Sequence, residues 1–248
     1  MARCEKIKGR GAAAPAVRAR DIVLQVYRFV QARRRKVDNP AGAIRPSAIA
    51  SFKPRDRALS PAEIHVFFSA LEQTPTMPTL RLAIRFMLLT LVRKSQFILA
   101  TWGEIDFDAA VWTIPKERMK AGRPHIVYLS QQALDILVAF KTCFGASSYV
   151  HPGRYEMASP ISAATLNRVI DSTVKPIRDG GADFDPFTVH NLRRTASTLL
   201  HEARFNTDWI EKCLAHEHSA ARQKGYTLNE LIDEAVQEGI EVSFNSLR

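Results

Sequence analysis

"HNLRRTASTLLHEARF", residues 190–205, reads as an amphipathic helix, because Leu192, Ala196, Leu199, Leu200 and Ala203 recur at helical spacing. Its start is the unusual part. His190, Arg193 and Arg194 crowd the first turns, where the partial positive charge of a helix N-terminus favours Asp or Glu. Packing does not call for potential cations at that end. A strongly anionic group placed there would.

The charge of the whole chain points the same way. Its 248 residues carry a net charge of +10, enough length for one large domain or one domain plus a fragment. Residues 1–57 hold 15 Lys/Arg against 4 Asp/Glu, and the remainder holds 20 against 21, so the whole excess lies at the front. A basic segment beside a neutral domain suits contact with a polyanion, most often nucleic acid; the bland alternative is a solvated tail. At 46% hydrophobic and 24% charged, the composition is that of a soluble globular protein. The apolar stretch "LAIRFMLLTLV" (82–92) is short and broken by Arg85, so no membrane span is expected. "MARCEKIKGRG" lacks the apolar run of a secretory signal, and the expected location is cytoplasmic. Cys4, Cys143 and Cys213 are widely spaced, fit a reducing compartment and read as packing residues.

Along the chain, residues 1–12 read as flexible. A helix is expected over 15–36, with Ile22, Val23, Val26, Phe29 and Val30 on one face that needs a partner. Residues 37–57, rich in Pro, Ala and charge, read as a linker. "SPAE" then supplies an N-cap Ser60, Pro61 at the first helical position and Glu63 in the capping-box place, a clean domain start. Helices are expected near 61–72, 78–91, 94–100, 131–143, 162–172, 190–204, 207–214 and 228–238. Residues 102–130 break the pattern with two or three short strands of aromatic and β-branched residues. "MKAGRPH" forms the turn of the last hairpin, with Lys120 near its tip. The fold class is therefore mainly α with a small antiparallel β-sheet.

Four separated segments carry polar residues that packing does not require. Arg93 follows an apolar helix in "LTLVRKSQ"; Lys120 lies on the hairpin; His190 and Arg193 lie three apart and so share a helix face; "LAHEHSAARQKGY" supplies His216 and, ten residues on, Tyr226. Each alone has an ordinary reading: a C-terminal cap, a solvated turn, a satisfied histidine, a surface ion pair, a half-buried aromatic. Together, and in this order, they resemble the catalytic domain of tyrosine recombinases, most closely prophage and genomic-island integrases. That family's signature is an Arg after an apolar helix, a hairpin Lys, H-x-x-R, L-x-H and a Tyr about ten residues later. The resemblance covers about residues 59–240. Tyr27, Tyr128, Tyr149 and Tyr155 have no upstream L-x-H and compete poorly with Tyr226.

The resemblance implies site-specific DNA breakage and rejoining through a 3′-phosphotyrosine, with Tyr226 as nucleophile, Lys120 as general acid, and Arg93 and Arg193 as a phosphate clamp. His190 would assist the proton transfer or orient the phosphate, and His216 would hydrogen-bond a non-bridging oxygen. It implies no cofactor and no metal, double-stranded attachment-site DNA as partner, a homotetramer on that DNA, and accessory DNA-bending proteins. Arg33, Arg34, Arg35, Lys36, Arg123 and Arg194 are the further DNA contacts expected. The domains expected are a basic remnant of a core-binding domain plus linker (1–57) and a catalytic domain (58–248). The alternatives are a topoisomerase of the same chemistry and an inactive DNA-binding remnant.

Two departures from the family pattern are expected to matter. Leu91 stands where relatives usually carry Gly, two residues before the first Arg, and Gln96 where they usually carry an acid, three residues after it. The neutral amide still accepts a hydrogen bond, but orients more weakly. At the front, only the last helix of the usual DNA clamp is recognisable, so weak DNA affinity is expected.

Overall fold

The computed structural model describes residues 2–33, 36–51, 57–119 and 122–215. Arg34, Arg35, Lys120, His216, Tyr226 and the helix expected at 228–238 lie outside the described residues. The chain divides into two units, Met1–Arg55 and Asp56–Arg248.

The first unit contains α1 (Ala2–Gly9), α2 (Ala13–Ala32) and the short α3 (Pro46–Ile49). The stretch read as flexible is thus largely helical. It has almost no apolar periodicity of its own and packs on α2, which supplies what local pattern lacks. The stretch read as a linker is also partly ordered. Asn39 donates to the Leu24 carbonyl at 3.3 Å and accepts the Ala41 N–H at 3.0 Å, and Gln31 donates to the Val37 carbonyl at 2.8 Å, tying it back to α2. Pro46, with its φ preset, opens α3. Ala16 and Arg20 are buried, whereas Ile22, Val23, Val26 and Phe29, the stripe expected to need a partner, are exposed.

The second unit runs α4 (Pro61–Gln73), α5 (Pro78–Thr90), α6 (Lys94–Ile98), β1 (Ile105–Asp106), β2 (Val111–Ile114), β3 (His125–Tyr128), α7 (Gln131–Phe144), α8 (Thr165–Asp179), α9 (Val189–Glu202) and α10 (Thr207–Cys213). It is helical with one antiparallel sheet of order β1-β2-β3. Ser60 caps α4 as expected, accepting the Glu63 N–H while Glu63 accepts the Ser60 N–H at 2.8 Å. The apolar α5 is central, packed by α7, α8 and α9. The helix expected at 162–172 starts later and runs through Pro176 to Asp179. Its apolar stripe, Leu166, Val169, Ile170 and Val174, is continued by Ile177 against the core, which outweighs the proline's missing donor. The three cysteines are unpaired, and none lies among the core residues, against the expectation that they pack.

The sheet is anchored from beneath. Trp112 on β2 is fully buried against Phe86, whose ring in turn meets Phe97 and Phe140. Its indole N–H donates at 3.0 Å to Glu104, which also accepts from Arg118 and, at 2.9 Å, from the Thr101 hydroxyl. One carboxylate thus satisfies a core indole and a nearly buried guanidinium. Glu104→Ala leaves both without that acceptor, and a loss of about 3 kcal/mol in unfolding free energy is expected by urea titration. Glu104→Gln, which keeps an acceptor oxygen, is expected to lose less.

Candidate active site

α5 ends abruptly. Leu91 adopts φ 54°, ψ 14°, the left-handed conformation that favours glycine. The turn carries a cost of about 1–2 kcal/mol for a residue with a Cβ, and burial of the Leu91 side chain, 6% exposed, offsets it. The turn brings Arg93 to the start of α6 and directs the Leu91 carbonyl toward α9. Gln96 is buried beneath: its Oε1 accepts the Arg93 N–H at 2.6 Å, and its amide nitrogen lies 3.0 Å from Met119 Sδ. Arg118 donates to the Gln96 carbonyl at 3.1 Å. The amide therefore ties the first arginine to the segment that leads to Lys120. Gln96→Leu orphans the Arg93 N–H, and a loss of about 1–2 kcal/mol is expected by thermal or urea unfolding. Gln96→Glu keeps the acceptor, so its stability is expected above that of the leucine variant, with cleavage not lowered.

α9 starts with neutral caps. Asn191 Oδ1 accepts both the N–H and the hydroxyl of Thr188 at 2.9 Å, Asn167 Oδ1 accepts the Val189 N–H at 3.1 Å, and the first turn holds no acid. Arg193 is buried, 5% exposed. One end of its guanidinium donates to the Leu91 carbonyl and the other to the Leu214 carbonyl. Burial first, and then the charge of Arg93, lower its pKa to about 10, so it stays charged at neutral pH. Among the described residues, two of its N–H donors are taken by these carbonyls.

His125 was not among the residues singled out from sequence. It opens β3 opposite Ile114 and shares the inward face with Val127. Burial first, and then the charges of Arg193 and Arg93, lower its pKa to about 4, so the imidazole is neutral at physiological pH. The available signal was a histidine beginning a strand beside the hairpin, in phase with Val127.

Of the expected residues, Arg93 and Arg193 come together from opposite halves of the domain, close enough for each charge to act on the other. His190 and Arg193 lie three apart on α9, His190 exposed at its open end and Arg193 buried. Arg33 ends α2 with its guanidinium 3.5 Å from the centre of the Phe29 ring. Lys36, Arg123 and Arg194 are exposed.

A buried arginine pinned by two carbonyls, a second arginine beside it and a three-stranded sheet in a helical domain define a tyrosine recombinase catalytic domain. Residues 57–231 match the phage integrase family, and the chain belongs to that family. It is 34% identical over 212 residues to prophage integrase IntZ of Escherichia coli (strain K12), covering 84% of this chain and 50% of the relative. It is 28% identical over 250 residues to the integrase of Enterobacteria phage P4, covering 94% and 55%. The chain thus spans about half the length of the curated relatives it matches. The fold resembles a lambda integrase tetramer bound to a Holliday junction, at TM-score 0.67, 22% identity, 93% of this chain and 65% of that one. It also resembles the Tn1549 transposon integrase in complex with circular intermediate DNA, at TM-score 0.65, 16% identity, 93% and 81%. Among the described residues, no helix is long and apolar enough to cross a membrane.

Proposed function

We propose that this chain carries the catalytic domain of a site-specific DNA recombinase, which integrates or excises a mobile element by cutting and rejoining attachment-site DNA. The observation that carries the reading is the arginine pair. Arg193 bonds the carbonyl of Leu91, two residues before Arg93, and the two charges lie near enough to act on one another. Two always-charged forks suit the two non-bridging oxygens of a phosphodiester, whose negative charge grows in the transition state.

In this reading Tyr226 Oη attacks phosphorus. A tyrosyl O–P bond forms as the bond to the 5′-oxygen breaks, and Lys120 gives that oxygen its proton. The 3′-phosphotyrosine keeps the bond energy for attack by a second strand's 5′-hydroxyl. His190 assists removal of the tyrosine proton or orients the phosphate, and His216 hydrogen-bonds a non-bridging oxygen. Arg33, Arg34, Arg35, Lys36, Arg123 and Arg194 would contact the DNA backbone, residues 1–57 serving as the clamp-side segment and 58–248 as the catalytic domain. The assembly expected is a homotetramer on paired duplex sites, assisted by DNA-bending proteins, in a bacterial cytoplasm.

The test is covalent trapping. The protein is incubated with nicked suicide duplexes of mixed sequence without divalent metal, and run on a denaturing gel. A protein–DNA band whose cross-linked peptide contains Tyr226 supports the reading. No band, even in a chain extended to the length of its relatives, overturns it.

A further inference from the structure

The chain at residues 57–59, just before α4, is tied to α9 at two points about one helical turn apart. Asn191 Nδ2 donates to the Arg57 carbonyl at 2.9 Å, and Thr195 Oγ1 accepts the Leu59 N–H at 2.9 Å. The anchor is itself fixed. The Arg57 guanidinium donates to Glu63 at 2.7 Å and to Asp185 at 3.5 Å, and Leu59 is buried in the core. On the helix side Asn191 and Thr195 are both buried. A broken tie therefore leaves a polar group with little water to replace its partner.

We propose that Asn191 and Thr195 are positioning residues: they set the rotation and height of α9 against residues 57–59, and so place the Arg193 guanidinium beside Arg93. This rests on the proposed recombinase reading. Positions 191 and 195 lie about 40° apart around a helix, and 193 lies roughly 160° from each. The ties thus grip α9 on the side away from Arg193, whose guanidinium reaches across to the Leu91 and Leu214 carbonyls. A helix free to turn or slide on the tied side would carry Arg193 off one carbonyl or the other. The residue types suit the task. Asn191 uses both ends of its amide: Oδ1 accepts from Thr188 at the start of the helix while Nδ2 donates to Arg57. Aspartate there would keep the first bond and lose the second. Valine at 195 would keep the shape of the threonine and lose the acceptor for Leu59.

The experiment compares the full chain with Asn191→Asp and Thr195→Val, which each break one tie, and with Thr195→Ser, which keeps the hydroxyl. Thr173→Val serves as the stability control, because the buried Thr173 hydroxyl meets Thr74 at 2.9 Å where α8 packs on α4. Solvent exchange of the Arg193 guanidinium protons is followed by NMR, with the Leu137 amide in the core as reference. Covalent adduct formation is followed against the concentration of suicide duplex. In Asn191→Asp and Thr195→Val, exchange at Arg193 is expected to rise at least about tenfold with Leu137 unchanged. Adduct formation at saturating duplex is expected to fall roughly 30-fold, as for a displaced reacting group, with the half-saturating concentration within about threefold. Thr195→Ser and Thr173→Val are expected to stay within about threefold of the unaltered chain on both readouts. Unchanged Arg193 exchange in Asn191→Asp or in Thr195→Val, unchanged adduct formation where exchange rises, an equal loss in Thr173→Val, or no recovery in Thr195→Ser would overturn the proposal. If the wild-type chain forms no adduct, the recombinase reading fails by itself, and exchange at Arg193 still decides whether the two ties place it.

Discussion

Arg193→Ala is expected to lower the unfolding free energy by about 3 kcal/mol and to cut adduct formation roughly 1,000-fold. Both effects have one cause. The side chain bonds the Leu91 and Leu214 carbonyls from a site where water cannot replace it. Truncation leaves two interior acceptors unpaired, each costing about 1–3 kcal/mol, partly offset because the repulsion by Arg93 disappears. The same change loosens the turn that presents Arg93 and the end of α10, and it removes the guanidinium that the proposed chemistry uses beside Arg93. Arg193→Lys is the informative companion. One ammonium cannot reach two carbonyls on opposite sides of the site, so less than half of the stability is expected to return, with little of the cleavage. Urea unfolding and the trapping gel read the two effects separately. A stable but inactive alanine variant would mean that the guanidinium does not hold the fold. A destabilised variant of normal activity would remove Arg193 from the chemistry.

Tyr226→Phe is expected to abolish the covalent band outright while leaving duplex affinity within about twofold. Only the phenolic oxygen is removed, and no other group of the proposed site can form the phosphotyrosyl bond. This pattern is the reverse of that expected for Arg193→Ala, in which unfolding free energy and cleavage fall together. A residual band in Tyr226→Phe would assign the nucleophile to another residue, the first to check being Tyr128 on β3, one register pair from the inward Val127.

How much was legible beforehand follows from which interactions are local. The helix starts at Ser60 and Pro61 and the ends of α5, α7 and α9 are local events, set by caps, prolines and apolar period, and the expected limits agree to within a residue or two. α1 was missed because its stability comes from packing on α2. The continuation of α8 past Pro176 was missed because a core contact overrode a local rule. At the candidate site, Arg93 and Arg193 were singled out through their order and spacing, and the fold brings them near one another.

Sequence by itself determined the helical class, the small sheet and the capped helix start at Ser60, since side-chain chemistry and short-range backbone preference are written residue by residue. Tertiary structure alone decided that Leu91 takes a left-handed turn, that Gln96 caps Arg93 against Met119, and that Arg193 is buried while His190 is not. It alone decided, too, that burial and the charges of Arg193 and Arg93 keep His125 neutral. Each of these depends on groups from distant segments removing water from one another, and burial of that kind has no period or spacing in the chain from which it could be read.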